Sequence, residues 1–589
     1  MINKIRNSCI IKLNSIATNL LMYLPVAVFG ILMCFAVNAV FGAELIVVAL
    51  VSLFSVKALY NTTFNTANYL RNAGYLFFIV LMGTLASMNI LAGIVINFAL
   101  IFAFAFIFCD NLSVGKFFVM SLQLLLMQYP GHIAVSELFP RLLCCLLCMG
   151  AGGAFLLIFN NLFRKHRDNQ YVIRGCEEIA NKLSSLLDNN TNGKIDIFTL
   201  TTDFCKSKYN GVLNQDYLLD EATKNDFLAL MTMEQLSDLI YDTPQKLKEL
   251  TDKDREYFEE LVRYFSNIKS LKRLSINLSN FVDDYSLSNP QLSSLWKKYI
   301  LTLSGYLKYR GKPVIKTSVK ESAKFRFSVL KKRFTTTSYN MRNALQMAIF
   351  VTAFALLAQL LTISDAMLCP ITALAVLSMP YDKRIRLTIT GAIGIVAVAI
   401  IYMGMLKMFP FDTRVPVAFI VSILCLVTSV NSFAKIAFST QLLTAVLFPS
   451  ACISPESLLK IAYVGVGCVA TYLLANWLLS TPKSQRYKLH TSDLAQFDWS
   501  AIHQLEHVRL DDPTKNYLCE IMLIQHLMVE HISNSSNEKV ESNKIRYSSM
   551  LSFNCDLLTE IAYALTILRP GKLPKEWVLA MKKRLTNIF

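Results

Sequence analysis

Residues 341–394 read MRNALQMAIFVTAFALLAQLLTISDAMLCPITALAVLSMPYDKRIRLTITGAIG and contain the pattern that decides the fold. An apolar segment of spanning length is followed by the polar pair Ser364-Asp365, a shorter apolar segment and a basic loop. A helix needs about 20 apolar residues to cross the hydrocarbon core of a bilayer. The stretch therefore predicts one full span, a tight turn and a short second span.

Two blocks of the chain have this character, residues 20–163 and 342–480. The whole chain is 54% hydrophobic and only 17% charged, whereas a soluble domain carries about 25% charged residues. Each block has room for about six spans. We therefore predict an all-α integral membrane protein with two six-helix transmembrane halves in a parallel repeat, a helical cytoplasmic insert and a helical cytoplasmic tail. The predicted domains are 1–163, 164–341, 342–480 and 481–589.

Polar and turn residues divide the blocks into twelve predicted spans, and the basic residues orient them. The spans are about 20–41, 43–60, 73–91, 92–109, 115–130, 139–163, 342–363, 366–380, 387–409, 415–430, 432–451 and 457–480. Lys and Arg collect in cytoplasmic loops of membrane proteins. With an even number of spans in each block, the basic clusters fall on one side, which predicts that both termini and the insert are cytoplasmic. The clusters begin at Lys4, Arg164, Lys331, Lys383 and Lys483.

Signals of other protein classes are weak. The net charge of +17 follows from basic cytoplasmic loops, and no basic run is interleaved with aromatic residues, so we predict no nucleic-acid partner. Cys145 and Cys148 form a C-x-x-C inside an apolar run without a second pair, which does not indicate a metal or redox site. A P-loop is absent, which argues against an ATP-driven pump. We predict no enzyme activity, cofactor or metal.

The insert and the tail have the pattern of amphipathic helices. Residues 244–274 repeat apolar positions at three- and four-residue steps, and residues 189–193 and 288–290 carry turn signals. In the tail, His503 and His507 fit H-x-x-E-H, a spacing found in one class of zinc protease, and further histidines follow at 526 and 531. The pattern has no third ligand or pocket to support it, so we interpret these histidines as surface residues of a helix.

The second block resembles a known family, the fusaric acid resistance and aromatic acid exporter family. The match covers residues 341–394 and the segment NSFAKIAFSTQLLTAVLF (431–448), and the layout of two six-span halves with an insert and a tail matches over the whole length. The first half departs from the pattern, because its loop YNTTFNTANYLRN is less basic. The residues that carry the resemblance are Arg342, Pro370, Thr372, Pro380, Tyr381, Arg384, Arg386, Thr388, Gly391, Gly394 and Thr440.

The resemblance implies a multi-pass protein of the bacterial inner membrane that exports small organic anions, above all aromatic carboxylic acids of the fusaric acid or hydroxybenzoate type. It implies that the proton gradient drives export, and that a periplasmic adaptor protein is a partner in some members. The implied ligands are thus an aromatic acid and the lipid bilayer, and the sequence leaves self-association into a homo-oligomer open.

Basic side chains are the first candidates for a substrate site, because a carboxylate in hydrocarbon requires a partner. Lys57 is the deepest cation of the first block, and Arg342 and Arg384 are basic residues of the family pattern. Each has a simpler interpretation: snorkelling for Lys57, a helix cap or anchor for Arg342, and a positive-inside anchor for Arg384.

Further candidates lie around the short second span of the second block. Pro370 would break this helix and expose carbonyls to a cavity, or simply kink it. Tyr381 would stack on an aromatic substrate beside the basic loop. Thr372 and Thr440 are implied by the resemblance alone. Asp365 is the acidic residue most suited to proton coupling, although it also fits an exposed turn.

Two other functions compete with export. A passive anion channel is one, since plant malate channels look similar in their six-span half. A membrane-anchored sensor or scaffold, whose soluble regions do the work, is the other.

Overall fold

The computed structural model describes most of the two blocks and of the insert. The described residues are 23–60, 66–108, 116–129, 133–163, 170–188, 197–214, 221–246, 250–268, 270–308, 334, 339–361, 364–378, 389, 393, 411–428, 456–477, 495, 498–499, 502, 522–523, 525–527, 529, 549, 553–554, 557 and 575–588. Within these ranges the secondary structure is helical and no strand occurs. The prediction of an all-helical chain is confirmed to this extent.

The apolar blocks contain ten described α-helices. In the first block they are α1 (Tyr23–Phe41), α2 (Ile46–Tyr60), α3 (Thr66–Met88), α4 (Ile90–Phe108), α5 (Lys116–Leu126) and α6 (Leu138–Phe163). In the second block they are α13 (Tyr339–Leu361), α14 (Leu368–Leu377), α15 (Phe411–Thr428) and α16 (Glu456–Trp477). Short 3₁₀ turns precede three of them, at Ala43–Leu45, Val135–Glu137 and Ser364–Met367.

Six described helices are long and apolar enough to cross a membrane: Tyr23–Phe41, Ala43–Tyr60, Tyr69–Met88, Ile90–Phe108, Val135–Phe159 and Met341–Leu361. Four shorter apolar helices accompany them: Phe117–Leu126, Leu368–Leu377, Pro416–Val427 and Ala462–Leu474. The predicted spans 387–409 and 432–451 lie outside the described residues, except for Ile389 and Ile393. The count of twelve spans stays a prediction.

The insert and the tail contribute the remaining helices. They are α7 (Gln170–Leu187), α8 (Ile197–Asn214), α9 (Glu221–Lys246), α10 (Asp252–Ser266), α11 (Leu271–Asp284), α12 (Pro290–Lys308) and α17 (Lys575–Ile588). The chain divides into two compact units. We call residues 1–163 with 330–483 the apolar unit, and residues 164–329 with 484–589 the polar unit.

Two short helices form the centre of the apolar unit. The span Ala43–Tyr60, which includes α2, is 72% buried, against 33–50% for the other long apolar helices. Every residue of α14 is buried. Helix α2 packs against α6, and α14 packs against α13, α16 and α5, while α13 packs most extensively along α4. Both short helices begin directly after a 3₁₀ turn.

The polar unit has an aromatic core of its own. Trp296 of α12 is fully buried and packs edge-on against Phe258 of α10, at 5.3 Å between ring centroids. Most of the described residues of the segment 244–274 are helical, as predicted. They belong to α9, α10 and α11, and the side chains of Thr251 and Ser270 cap the starts of α10 and α11. The predicted turn at 288–290 is confirmed, since Asn289 Oδ1 accepts from the first turn of α12. Residues 189–193 lie outside the described part.

Candidate functional site

The side chain of Lys57 forms a hydrogen bond between the first block and the second. It is half-buried near the end of α2, and its Nζ donates to the carbonyl of Leu426 at 3.3 Å. Leu426 is in the last turn of α15, where carbonyls have no partner within the helix. The same Nζ lies 5.4 Å from the centroid of the Tyr23 ring. Lys57 therefore caps α15 and stabilises the contact between α2 and α15.

Pro370 and Thr372 are both buried residues of α14, and neither interrupts the helix. Pro370 is the third residue of α14, where a backbone N–H has no acceptor within the helix, so the predicted break at this proline is wrong. The hydroxyl of Thr372 donates to the carbonyl of Leu368. A Cβ at Gly467 of α16 would lie 3.2 Å from Thr372 Cβ, so the glycine permits the close approach of α14 and α16.

The other predicted site residues fall on separate elements or outside the described part. Arg342 is half-buried in the first turn of α13, beside the buried Asn343 and Gln346. Asp365 belongs to the 3₁₀ turn before α14. The candidates that lie outside the described residues are Tyr381, Arg384 and Thr440.

Three amide side chains meet between α4, α5 and α13, and we call Asn97, Gln128 and Gln359 the amide cluster. Asn97 Nδ2 donates to Gln128 Oε1 at 3.0 Å, and Gln128 Nε2 donates back to Asn97 Oδ1 at 2.8 Å. Gln359 Nε2 donates to the carbonyl of Ala86 at 3.2 Å and lies 3.4 Å from Gln128 Oε1. Asn97 and Gln128 are almost fully buried. The cluster joins the two blocks through hydrogen bonds in an apolar surrounding.

Gly93 makes room for this cluster. A Cβ at Gly93 would lie 2.7 Å from the carbonyl oxygen of Ala86 and 2.9 Å from Gln359 Oε1. Real Cβ atoms do not approach other atoms this closely. The absence of a side chain on α4 therefore allows the Gln359 amide to reach α3.

A buried arginine contacts the chain beside Gln128 of the amide cluster. Arg141, in the first turn of α6, is only 1% exposed. Its Nη1 donates to the carbonyl of Met127, the residue before Gln128, at 3.4 Å, and its Nη2 lies 3.4 Å from Glu137 Oε2. Its Nε is buried and has no hydrogen-bond partner among the residues that the structure describes. Glu44, an exposed residue before α2, also acts on this charge electrostatically.

Sequence reasoning missed both the arginine and the amide cluster as candidate sites. Hydropathy places Arg141 at the edge of a span. Only its position within the apolar run LFPRLLCCLLCMG indicated that the side chain is buried. Amides inside apolar helices are the corresponding signal for Asn97, Gln128 and Gln359.

Cysteines also meet within the apolar unit. The sulfur atoms of Cys144 and Cys148 lie 4.0 Å apart on α6, and both residues are buried. Among the residues that the structure describes, no group of three His, Cys, Asp or Glu residues could hold a metal ion.

The polar unit contains a buried carboxylate with a full set of partners. Asp254 is 0% exposed and accepts four hydrogen bonds, from the backbone N–H and the hydroxyl of Thr251 and of Ser288, at 2.6–3.3 Å. Burial raises the pKa of Asp254, but these hydrogen bonds outweigh burial and hold the pKa below its ordinary value. The carboxylate thereby connects the start of α10 to the turn before α12.

One histidine of the tail contradicts the surface interpretation. His526 is 1% exposed, its Nε2 lies 3.0 Å from Glu234 Oε1 of α9, and its ring stacks on Phe198 of α8 at 4.8 Å. The prediction of a surface histidine is therefore wrong for this residue, because a neighbouring helix covers it. The positions 503, 507 and 531 lie outside the described residues.

In the comparison with known proteins, no family model, curated protein or solved structure matches this chain.

Proposed function

We propose that the chain is an integral membrane protein that exports small organic anions, with aromatic carboxylic acids as the substrate class. The observation that carries this proposal is the burial of Asn97, Gln128 and Arg141 among helices that are apolar enough to cross a membrane. Polar and charged side chains at such positions are costly in a bilayer and mark substrate or ion pathways. A segment that only anchors a soluble domain needs none of them.

The resemblance of residues 341–394 to aromatic acid exporters supports the choice of substrate. In this proposal the protein has twelve spans in two parallel halves within the bacterial inner membrane. The insert, the tail and both termini are cytoplasmic, the proton gradient drives export, and a periplasmic adaptor receives the substrate. Lys57, Arg342, Pro370, Thr372, Tyr381, Arg384 and Thr440 are proposed substrate contacts, and Asp365 is proposed for proton coupling.

Uptake of labelled 4-hydroxybenzoate into inverted membrane vesicles tests the proposal. We expect saturable uptake that requires an imposed proton gradient and is absent from vesicles without the protein. Gln128→Leu, which removes the centre of the amide cluster, should lower the rate about tenfold, as expected for the loss of a buried hydrogen-bonding group. Gln291→Leu makes the same chemical change at an exposed position of α12 and should leave the rate unchanged.

The same experiment separates export from its alternatives. Saturable uptake that persists without a gradient would contradict a driven exporter, and single-channel currents in a planar bilayer would assign the protein to the anion channels. Equal rates with and without the protein would refute transport of this acid.

A further inference from the structure

The guanidinium of Arg141 is buried with fewer partners than its chemistry requires. Arginine carries five N–H donors in a planar fork, and charge-assisted hydrogen bonds from such groups are about 2.7–2.9 Å long. Both contacts of Arg141 with described residues, to the carbonyl of Met127 and to Glu137, are 3.4 Å long, and Nε has no partner among those residues. Since the side chain is 1% exposed, solvent does not supply the missing acceptors.

The neutralisation of this charge is also incomplete. Among the described residues, Glu137 is the carboxylate within ion-pair distance, and 34% of its side chain is exposed. Arg141 and Glu137 are four residues apart, at the 3₁₀ turn that leads into α6. The first N–H groups of α6 have no acceptor within the helix and add partial positive charge at the same place. The site is therefore electropositive, and the carboxylate of Glu137 is only weakly bound to the guanidinium of Arg141.

A purely structural ion pair would look different. In such a pair the carboxylate and the fork form two short parallel bonds, and the remaining donors are satisfied as well, because a buried charge is otherwise expensive. Arg263 of the polar unit illustrates a close contact, since its Nη2 lies 2.6 Å from Glu260 Oε1. Arg141 has the burial of a structural pair, but its two hydrogen bonds are long and do not form a parallel pair to one carboxylate, which indicates a site for a second anion.

We propose that Arg141 binds the carboxylate of the transported acid, and that the carboxylate of Glu137 occupies this place when the acid is absent. This inference rests on the proposed function and identifies the group that recognises its substrate. Exchange of one carboxylate for another leaves the number of charges at the guanidinium unchanged. The nearby carboxylates of Glu137 and Glu44 repel dianions, so a monocarboxylate is favoured over phosphate. The amide cluster begins at Gln128, one residue from the Met127 carbonyl, and offers neutral hydrogen-bonding groups beside the site.

Binding of labelled benzoate to the full-length protein in nanodiscs of uncharged phosphatidylcholine tests the proposal. Arg141→Gln should lower the affinity for benzoate at least about tenfold, the expected cost of a lost charge-assisted hydrogen bond. Arg141→Lys should restore part of it. Benzyl alcohol, which has the same ring without the charge, should not compete with benzoate.

Glu137→Gln gives the sharper result, because a structural role of Arg141 does not predict it. Removal of the competing carboxylate should raise the affinity for benzoate about two- to fivefold. The matched controls Arg263→Gln and Glu260→Gln alter an ion pair of the polar unit whose arginine is exposed, and they should leave the affinity unchanged. Should Arg141→Gln fail to fold, the Glu137→Gln result decides the matter.

Several outcomes would overturn the assignment. They are wild-type affinity in a folded Arg141→Gln protein, unchanged affinity in Glu137→Gln, and displacement of benzoate by inorganic phosphate or anionic lipid at equal concentration. Failure of the inference is distinct from failure of the proposed function. Gradient-driven uptake by a protein whose benzoate affinity ignores Arg141 would refute the site alone. Arg141-dependent binding without any uptake would refute the transport function and leave the site standing.

Discussion

Two buried charges, one in each unit, differ in the number and length of the hydrogen bonds that they form. Asp254 of the polar unit accepts four hydrogen bonds at 2.6–3.3 Å from Thr251 and Ser288. Within the described part of the chain, Arg141 of the apolar unit has two polar contacts, both of 3.4 Å, and its Nε has no partner. Burial alone therefore does not distinguish a structural charge from a functional one. The hydrogen bonds do, because a saturated charge has no capacity left for a ligand.

The largest expected effect is the loss of the saturated charge. Asp254→Ala should lower the local stability of α10 and of the start of α12 by about 2–4 kcal/mol, since it removes the N3 carboxylate of the capping box and leaves the donors of Thr251 and Ser288 without this acceptor. Hydrogen exchange of residues 251–295 in the full chain measures the change. Asp252→Ala, an exposed first-turn residue, is the control and should cost less than about 0.5 kcal/mol. Equal losses in the two variants would contradict the comparison.

Acidification should produce a smaller version of the same loss. The pKa of Asp254 in the folded protein lies below its ordinary value, so the carboxylate contributes stability above that ordinary value, about 4. This contribution should decline as the pH falls from about 4 through the lower pKa of the folded state. Hydrogen exchange as a function of pH, corrected for its intrinsic rate, reports this decline. Asp254→Asn should show no such decline in this region.

The next effect concerns the packing beside the amide cluster. Gly93→Ala places a methyl group against the Ala86 carbonyl and the Gln359 amide, and should destabilise the apolar unit by about 1–3 kcal/mol. Reversible unfolding in mixed micelles provides the measurement. Gly150→Ala on α6 is the matched control, because no described atom beyond its chain neighbours and its own helix backbone lies within 4 Å of the added Cβ. A loss of similar size in the control would show that helix glycines are needed for reasons other than this contact.

Variants of the unsaturated charge should behave asymmetrically. Glu137→Gln removes the one described carboxylate within ion-pair distance of Arg141 and should destabilise the ligand-free protein by about 1–2 kcal/mol. Arg141→Met removes the buried charge itself and should change stability by less than about 1 kcal/mol, because a side chain of similar shape fills the space. The same unfolding assay compares them. A larger cost for Arg141→Met than for Glu137→Gln would mean that Arg141 is structural.

Substitution of Lys57 should have the smallest effect on the free energy of unfolding. Lys57 is only half-buried, and its described contacts are with a carbonyl and an aromatic ring. Lys57→Met removes a cap on α15 and a cation–π contact with Tyr23, and should cost about 0.5–1 kcal/mol. Lys57→Arg, which keeps the charge, should retain most of the stability. A loss above about 2 kcal/mol in the unfolding assay would place Lys57 with Asp254 as a required structural charge.

The lengths of the apolar runs predicted that the helices exist. They were a poorer guide to where each helix begins and ends and to what it contacts. The run of apolar residues is enough to indicate α1, which ends at Phe41 before Gly42, a residue with φ of +88°. The same argument placed a boundary at residues 91 and 92, whereas α4 begins at Ile90 because the Asn89 side chain accepts from its first turn. A hydropathy average does not register a single capping side chain.

The candidate site was harder to predict, because it depends on partners that are distant in sequence. The contact of Gln128 with Gln359 joins positions 231 residues apart. Periodicity gives the polar face of a helix but not the helix that covers it, which is also why His526 was placed wrongly on the surface. Pro370 was misjudged for a different reason: the effect of a proline depends on its distance from the helix start, and that start is set by the preceding 3₁₀ turn.

The shortness of α14 has a consequence for how the protein enters a membrane. Its 10 residues extend about 15 Å, half the thickness of a hydrocarbon core of about 30 Å. A segment of this length does not insert stably alone, whereas α13, with 23 residues, does. The 3₁₀ turn at Ser364–Met367 leaves almost no chain between them. In the membrane protein that we propose, helix α14 therefore enters as the second arm of a hairpin with α13, and its burial against α16 is completed only after a further part of the chain has been synthesised.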